Sequence, residues 1–459
     1  MWWLTPALAC PSAPADPVAI VSVERDRTLD ASFAIEADGW LGGDAAHSIP
    51  VAPDRSVWLF GDTFWGTSVD GTREGGWAFT NGSIALHDPT APASRPAFFR
   101  GDDPTGFFEH RAPSGGDFYW TTQGVAYDGA LYVFAMNVVG IGRQEGFSVL
   151  RVDEPLADPR DWTWTVTDVP LGDGAGLPIT AVHVEEPWVY LFGWDDRLGP
   201  VRRTVLARAS TDALVAGLTP DDVTWWTETG EWVAEPERAG TLIGEGVTES
   251  HVQWVPALGR WAFVVYNAFT GELRLSTAPA LTGPWTEPRC LWEVPEIGRV
   301  DSLIAYAGRL HPEYATRDDE LVLTYVTNGF GTLDPLFGPG GGQAYRPHFL
   351  RVRLAPSEAP LLEGPTEAAP GERLVYTVTA LPGEPIALAA GDPAGELRRP
   401  GCPETPPIGG ARVVATAAAD AEGRAELVVV VPPTAAGTVR LAAGVSGRCP
   451  VATLDLRVD

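Results

Sequence analysis

Lysine is missing from this chain of 459 residues, and all 32 of its basic side chains are arginine. A chain without lysine cannot build a phosphate-binding loop of the Walker type or form a lysine Schiff base. Positive charge is scarce overall, because 60 acidic residues leave a formal net charge of −28. Nucleic-acid binding needs a basic surface, so nucleic acid is excluded as a partner and a neutral or weakly charged partner is favoured.

Long apolar runs are missing beyond the N-terminus, so no membrane-spanning helix is predicted there. The first ten residues form a short apolar stretch that ends in Cys10 and resembles the end of a bacterial lipoprotein signal. We therefore expect residues 1–10 to direct export, with Cys10 as the lipidated residue and membrane tether, and residues 11–31 to form a linker. An apolar end without a targeting role is the alternative.

Cysteine is rare, with four residues in the chain. Cys402 and Cys449 both lie near the C-terminus and predict one disulfide in a small domain. Cys290 lies in an apolar stretch and is expected to be an inert buried thiol. A disulfide favours an extracytoplasmic location, which includes a secreted, periplasmic or cell-surface protein.

Turn-forming residues are abundant, since the 51 glycines and 42 prolines make up about a fifth of the chain. One phrase, a turn followed by a strand of bulky residues and a small polar cluster, recurs around Trp58, Tyr132, Tyr190, Phe263 and Val322. Its copies are on average about 66 residues apart, which suits a four-stranded blade with its loops. The sequence therefore predicts an all-β fold with a five-bladed β-propeller over residues 32–354; a pair of stacked β-sandwiches is the alternative.

The composition changes after Leu354. Residues 355–370 are rich in proline, glutamate and alanine and predict a linker. Residues 371–459 contain no tryptophan and show short alternating runs, which are typical of a small immunoglobulin-like β-sandwich. Histidine and acidic clusters are missing from this segment, so a spacer or adhesion role is expected.

Acidic side chains precede the first predicted strand of several blades. Asp44, Glu249 and Asp301 stand before the first, fourth and fifth blades, and Glu313 follows in the fifth. Because first strands converge on one mouth of a propeller channel, we expect these acids to lie close together. Asp62 ends an apolar run, a setting that raises a carboxyl pKa and suits a general acid. Each acid also has a structural interpretation as a turn cap, a solvated strand end or an ion-pair partner.

Tryptophan is abundant, and all 18 residues precede position 300. Aromatic rings stack on the apolar faces of sugar rings. The side chains expected to bind substrate are Trp65, Trp120, Gln123, His251, His311 and Glu313. None of the seven histidines has a metal-binding spacing, so we predict no metal and no cofactor. Calcium in the propeller channel is the alternative.

Several of these motifs resemble a known family. In chain order they are Gly42-Gly-Asp44, Trp58-Leu-Phe-Gly-Asp62, Tyr190-Leu-Phe-Gly, Thr282-Gly-Pro-Trp285 and His311-Pro-Glu313. Over residues 32–354 they resemble a domain-of-unknown-function family of bacterial propellers that includes glycoside hydrolase family 183, endo-D-arabinanases of mycobacterial-type cell-wall arabinan. The more distant glycoside hydrolase families 43 and 62 are also similar. The resemblance implies that Asp44 and Asp62 are catalytic; in the related clans an acid stands where this chain has Gln123.

Paired carboxyls are the parts that glycoside cleavage requires. The sequence therefore predicts an endo-arabinanase-like glycoside hydrolase that acts on a furanose-rich polysaccharide or oligosaccharide. Asp44 is expected to be the nucleophile or base and Asp62 or Glu249 the acid, with Asp301 or Glu313 tuning their pKa values. The alternatives are a non-catalytic glycan-binding or adhesion protein, and a surface structural protein that docks another protein.

Overall fold

The structure is a computed structural model in two compact units. The first unit contains Ser22–Pro256 and Arg260–Arg353, and the second contains Leu354–Asp459 with Ser12–Val21 and Ala257–Gly259. The described residues are 17–101, 105–113, 115–140, 143–169, 179–195, 202–300, 302–357, 361–380, 384–393, 409–420, 424–445 and 452–458. Four residues singled out from the sequence lie outside them: Cys10, Asp301, Cys402 and Cys449.

Five antiparallel sheets follow one another through the first unit. Sheet 1 consists of β3 (His47–Ala52), β4 (Arg55–Phe60), β8 (Ser83–His87) and β9 (Ala97–Phe99). Sheet 2 consists of β10 (Phe118–Tyr127), β11 (Ala130–Val139), β12 (Arg143–Val152) and β13 (Trp164–Asp168). Sheet 3 consists of β14 (Ile179–Glu185), β15 (Trp188–Asp195), β16 (Arg203–Ser210), β17 (Thr224–Trp226) and β18 (Trp232–Val233).

The last two sheets complete this series. Sheet 4 consists of β19 (His251–Val255), β20 (Arg260–Asn267), β21 (Glu272–Ala278) and β22 (Arg289–Glu293). Sheet 5 consists of β23 (Leu303–Leu310), β24 (Glu320–Gly329), β25 (His348–Pro356) and β1 (Val18–Arg25). Sheet 5 thus takes its outer strand from the N-terminal side of the chain.

The recurring sequence phrase forms the second strand of each sheet, namely β4, β11, β15, β20 and β24. Alternate side chains of a strand point to opposite faces. On β4, Val57 and Leu59 pack against sheet 2, whereas Trp58 and Phe60 pack against sheet 5. These strands are therefore apolar on both faces, which explains why the phrase contains consecutive bulky residues.

Neighbouring sheets pack face to face through apolar clusters. One cluster joins sheets 2 and 3 around Phe134 and Leu191, and another joins sheets 3 and 4 around Phe192 and Phe263. Sheet 5 lies against sheet 4, where a side chain at Gly308 would meet Val264 at 3.2 Å. The first strands β3, β10, β14, β19 and β23 also contact one another in that order.

Further elements lie around these sheets. A small sheet contains β2 (Asp38–Gly43), β5 (Thr63–Val69), β6 (Thr72–Arg73) and β7 (Ala78–Thr80). The α-helices are α1 (Arg27–Ser32), α2 (Thr211–Ala216) and α3 (Asp334–Phe337). The 3-10 helices are Pro159–Asp161, Pro220–Asp222, Pro236–Arg238, Pro256–Leu258, Pro312–Tyr314 and Gly341–Gln343. In the described part of the chain, none of the helices has the length and apolar character needed to cross a membrane.

The second unit has two sheets around one core. One sheet contains β26 (Leu361–Glu363), β28 (Arg373–Thr379) and β31 (Arg424–Val430). The other contains β27 (Glu367–Ala368), β29 (Pro385–Asp392), β30 (Gly409–Ala418), β32 (Gly437–Val445) and β33 (Ala452–Val458). Residues such as Tyr376 and Leu427 meet Leu388 and Leu441 in this core. Every second residue of β28 and β31 is buried or half-buried, as the alternating sequence predicts.

The prediction for Cys290 is wrong. Cys290 lies on β22 and is disulfide-bonded, so it is not a free thiol. The apolar neighbours that suggested an inert thiol reflect its place in a packed edge strand, and they carry no information about a distant second cysteine.

Substitution of Trp58 would measure how strongly this side chain stabilises the packing of sheets 1 and 5. Its side chain is fully buried, stacks on His311 at 4.6 Å, and donates a hydrogen bond from Nε1 to the hydroxyl of Tyr314. We expect Trp58→Ala to lower the free energy of unfolding by about 3–5 kcal/mol, because a large buried side chain leaves a cavity. Thermal and guanidinium denaturation of the intact chain would measure this loss.

Trp254 provides the matched control. Its side chain is 40% exposed on β19. Trp254→Ala should therefore change the free energy of unfolding by about 0.5 kcal/mol or less. Equal losses for the two variants would contradict the packing described for Trp58.

Candidate active site

Asp44 lies in the tight connection between β2 and β3, and glycines make room for it. Gly42 has φ of +122°, and a Cβ there would lie 2.2 Å from the carbonyl oxygen of Tyr345. A Cβ at Gly61 would lie 2.5 Å from Oδ1 of Asp44. The Gly42-Gly-Asp44 and Gly61-Asp62 motifs are therefore explained by close packing around one carboxyl group.

Two phenol groups hold the Asp44 carboxylate. Tyr306 donates from its hydroxyl to Oδ2 at 2.8 Å, and Tyr345 donates to the same oxygen at 3.2 Å. Asn328 donates from Nδ2 to the Tyr306 hydroxyl at 2.9 Å. Because Tyr306 accepts this bond, its own proton is directed to Asp44, and the carboxylate is held as a hydrogen-bond acceptor.

Asp62 lies beside Asp44 and has its own donors. Asn81 Nδ2 and Trp120 Nε1 each donate to Oδ1 of Asp62 at 3.1 Å. The backbone joins the two acids, since the amide of Asp44 donates to the carbonyl of Asp62 at 3.3 Å. Trp120, predicted to bind substrate, is thus half-buried and anchored directly to a predicted catalytic acid.

Glu249 is the third carboxyl group, placed just before β19. Tyr266 donates from its hydroxyl to Oε2 at 2.9 Å, and the backbone amide of Ala307 also donates to the carboxylate. The buried guanidinium of Arg309 lies near enough to favour the ionised form of Glu249. Arg309 itself is fixed by a 2.8 Å bond from Nη1 to the carbonyl of Thr180 and by a bond to the carbonyl of Ser250.

The three carboxyl groups form one electrostatic cluster. Burial raises the pKa of Asp44 well above its usual range, and the charges of Asp62 and Glu249 raise it further, against the two phenol hydrogen bonds. Burial also raises the pKa of Asp62 and the pKa of Glu249. Because like charges in one site resist joint ionisation, the cluster retains a proton at pH values where isolated carboxyls have lost theirs.

Strained backbone surrounds the cluster. Ala45 and Ala46 follow Asp44 with φ of 62° and 51°, and Ala307 and Tyr345 have φ of 57°. These four are among seven non-glycine residues with positive φ in the described chain. Each such conformation costs of the order of 1–3 kcal/mol and persists where the surrounding structure enforces it, commonly at functional sites.

Three residues predicted to bind substrate belong to the protein interior. Gln123, His251 and His311 are 2%, 8% and 0% exposed, which leaves almost no surface for a bound sugar. His311 is bonded through Nδ1 to Ser48 and through Nε2 to the Thr324 hydroxyl. Burial and the nearby Arg309 lower the pKa of His251 to about 3, so its ring is neutral. In this structure the three side chains are packed in the interior, and their role in substrate binding stays a prediction.

Glu313 is not part of the acid cluster. It lies in a 3-10 helix beyond the C-terminal end of β23, where Ser56 donates to Oε1 at 3.1 Å. Tyr306 and Ala307 on β23 contact the acids, whereas Glu313 follows the end of that strand and contacts β4 instead. Asp301, the other predicted acid of this sheet, lies outside the described residues.

The residues around Arg309 do not fit a calcium ion. Calcium needs six or more oxygen ligands, whereas this interior holds a guanidinium and neutral imidazoles from His47, His251 and His311. Across the described ranges, no group of three or more histidine, cysteine, aspartate or glutamate side chains could hold a metal ion.

Two exposed aromatic residues that sequence reasoning missed follow the strand ends that serve the acids. Phe269 follows β20 and Phe330 follows β24, at the strand ends where Tyr266 and Asn328 serve the acids. Their rings are 67% and 57% exposed and meet edge to face at 5.3 Å. Both follow the small polar cluster that closes the recurring phrase, a signal that could have found them. Trp65 is half-buried nearby, with Nε1 bonded to Thr80.

Residues 26–354 match the model of a family described as "Domain of unknown function (DUF5005)". No curated protein matches the chain. Among solved structures, a "putative hydrolase" from Bacteroides ovatus ATCC 8483 is similar, with a TM-score of 0.57, 18% identity, and coverage of 72% of this chain and 90% of that chain. At that identity the likeness shows a common fold.

Two further structures align over a similar length. An exo-1,5-α-L-arabinanase from a bovine ruminal metagenomic library has a TM-score of 0.40, 7% identity, and coverage of 70% of this chain and 94% of that chain. An α-L-arabinanase mutant from Cellvibrio cellulosa has a TM-score of 0.41, 12% identity, and coverage of 71% and 93%.

Replacement of Asp44, the acid whose pKa is raised well above its usual range, should stabilise the fold. Because the pKa of Asp44 is raised in the folded state, that state loses stability as the pH rises from about 4 through the folded pKa, at about 1.4 kcal/mol per unit of displacement. Asp44→Asn should therefore raise Tm at pH 7, and the gain should vanish towards pH 4. Calorimetry across this range measures the effect.

Asp319 serves as the control, for which we expect a change in Tm of the opposite sign. Arg317 and Arg353 lower the pKa of Asp319 to about 2, so its ionised form stabilises the folded state above pH 4. Asp319→Asn should lower Tm at pH 7. A loss of Tm for Asp44→Asn as well would show that Asp44 is not held among like charges.

Proposed function

The chain belongs to the DUF5005 family, and from that premise we propose that it is a glycoside hydrolase whose catalytic groups are Asp44, Asp62 and Glu249. The observation that carries the proposal is the cluster of three half-buried carboxyl groups from distant parts of the chain, with exposed aromatic rings just beyond the strand ends that serve them. Glycoside cleavage needs one protonated and one ionised carboxyl group at the scissile bond. The exposed rings of Phe269 and Phe330, which we call the aromatic rim, suit the apolar faces of sugar rings.

We assign the base or nucleophile role to Asp44. Its Oδ2 accepts hydrogen bonds from Tyr306 and Tyr345, and Asn328 orients the Tyr306 proton towards it, an arrangement that suits the ionised form. These hydrogen bonds act against the burial and the neighbouring charges that raise the pKa of Asp44, and we assign the shared proton to Asp62 or Glu249, one of which acts as the acid. Asp62 binds both of its donors through Oδ1, which leaves Oδ2 available for a proton.

The architecture that we propose for this site is a five-bladed β-propeller. Face-to-face packing of consecutive sheets and the contacts between sheets 5 and 1 through Trp58 and Tyr314 support a closed ring. For the second unit we propose an immunoglobulin-like β-sandwich, which its two sheets and single core support.

The substrate that we propose is a furanose-rich, arabinan-like polysaccharide outside the cytoplasm. The resemblance of the sequence motifs to endo-D-arabinanases supports the sugar, and the disulfide at Cys290 supports an oxidising compartment. The site needs no cofactor. Lipidation of Cys10 and the Cys402–Cys449 disulfide concern residues outside the described chain and stay predictions, and they exclude one another because the disulfide of Cys290 takes one of these three cysteines.

Release of reducing ends from arabinans of D- and L-furanose type is the primary test. Asp44→Asn should reduce the rate by about 10²–10⁴-fold, because a positioned base or nucleophile is lost while the folded structure persists. Between Asp62→Asn and Glu249→Gln, the variant that still cleaves a substrate with a good leaving group, such as a dinitrophenyl oligosaccharide, identifies the acid.

Glu313→Gln is the matched control for this test, because Glu313 is a buried acid outside the cluster. It should retain nearly full activity. Arabinan binding without cleavage by the wild-type chain would favour the non-catalytic glycan-binding alternative, and neither binding nor cleavage would favour a protein-docking surface.

The aromatic rim gives a separate kinetic prediction. Phe269→Ala and Phe330→Ala should each raise KM by about tenfold and leave kcat nearly unchanged, since stacking holds the substrate before and during reaction alike. Leu156→Ala is the control, because Leu156 is 56% exposed and lies in the connection between β12 and β13, away from the acids. Steady-state kinetics on oligosaccharides would measure both effects; an unchanged KM would remove the rim from the binding site.

A further inference from the structure

Arg309 is a completely buried cation among the first strands of the sheets. It projects from β23 and donates from Nη1 to the carbonyls of Thr180 on β14 and Ser250 beside β19. Its Nε and Nη2 have no hydrogen-bond partner among the residues that the structure describes. Buried polar groups in proteins are bonded to protein, water or an ion, so this free edge of Arg309 (Nε and Nη2) is suited to hold a ligand.

Arg73 shows how the same chain completes a buried arginine with backbone alone. It is 3% exposed, and its three nitrogens donate to the carbonyls of Leu41, Leu336, Gly341 and Ala344. Every side-chain nitrogen of Arg73 is therefore bonded, whereas two of the three in Arg309 are not. The comparison separates an arginine that only joins backbone segments from one whose donors point to a further group.

The imidazoles near Arg309 are neutral, and two of them have unbonded nitrogens. Burial and the charge of Arg309 lower the pKa values of His47 on β3 and His251 on β19, so both rings lie close to the guanidinium. Nε2 of His47 and Nδ1 of His251 are buried without a partner in the described chain. Gln123 is bonded to Nδ1 of His47 at 3.1 Å, and its amide can donate there, which places the ring proton on Nε2. Donors from three sheets can therefore meet one ligand.

No carboxylate oxygen in the described chain is bonded to the free edge of Arg309. Glu249 acts on Arg309 through space, but its carboxylate is bonded to the hydroxyl of Tyr266 and to the backbone amide of Ala307. Burial lowers the pKa of Arg309 to about 9, which leaves it a cation at neutral pH. A buried charge is costly unless a group of opposite charge is bonded to it.

We propose that the free edge of Arg309 binds a halide ion, with chloride as the natural ligand. A halide accepts hydrogen bonds from several directions and carries the single negative charge that one guanidinium requires, whereas water would leave that charge unbalanced. A compact ion also suits a place among first strands that contact one another. The donors are N–H groups, the reverse of the oxygen ligands that a metal ion such as calcium needs. This site is separate from the proposed glycoside cleavage and does not depend on it.

Anomalous scattering from bromide tests the site in the wild-type chain without any substitution. Crystals of the full chain grown with sodium bromide should show an anomalous peak within hydrogen-bonding distance of Nε and Nη2 of Arg309. Water at this position, or bromide only at other positions, would overturn the proposal.

Thermal denaturation shows whether the ion binds in solution. The full chain is dialysed into sodium gluconate and titrated with sodium chloride at constant ionic strength. Tm should rise and then level off, because a ligand that binds only the folded state stabilises it until the site is saturated. A bromide peak in the crystal without a saturable rise in Tm would mean binding at crystal concentration only and would refute a resident anion.

Arg309→Lys and Arg73→Lys form a matched pair, because each replaces a buried arginine and keeps its positive charge. The lysine ammonium can bond to the carbonyls of Thr180 and Ser250 but lacks the second edge of the guanidinium, so chloride affinity in Arg309→Lys should fall by about tenfold or more. Arg73→Lys should be less stable than the wild type but reach half of its chloride-dependent rise in Tm at the same chloride concentration. An unchanged chloride response in Arg309→Lys, or an equal loss in both variants, would contradict the site. If Arg309→Lys does not fold, the bromide position in the wild type decides.

Discussion

Desolvation and mutual repulsion of the half-buried carboxyl groups of Asp44, Asp62 and Glu249 are the constraint on which the candidate active site depends. Asp44 is desolvated and faces the charges of Asp62 and Glu249, and its surroundings supply hydrogen-bond donors. The phenol groups of Tyr306 and Tyr345 donate hydrogen bonds to Asp44. The indole of Trp120 and the amide side chain of Asn81 donate to Asp62. The left-handed backbone at Ala45 and Ala307 is a further cost of bringing these groups together.

Arg309 is the buried counter-charge of this arrangement, and it also joins sheets. It projects from β23 of sheet 5, donates to the carbonyl of Thr180 in sheet 3, and contacts the carbonyl of Ser250 beside Glu249. Burial lowers its pKa to about 9. A single guanidinium thereby fixes the backbone on which Glu249 stands and offsets part of the negative charge there.

The sequence was sufficient to locate Asp44, Asp62 and Glu249, because each stands at a fixed place relative to a repeated strand. It was insufficient for Tyr306 and Arg309, since the β23 ladder shifts register between these two residues and alternation alone cannot place side chains across such a shift. Glu313 follows the C-terminal end of β23, and the sequence alone does not reveal at which end of this strand the acids gather. The disulfide at Cys290 depends on a cysteine that is distant in the sequence, and the apolar neighbours of Cys290 do not indicate it.

The position of β1 has a consequence for biosynthesis. This strand is made before the rest of the first unit, yet its neighbour in the sheet, β25, lies more than 300 residues later. During translation β1 has no partner until almost the whole first unit has left the ribosome, so its unpaired edge must stay soluble in the meantime. Assembly of the first unit is therefore a late, long-range step, and such non-local pairing is slow.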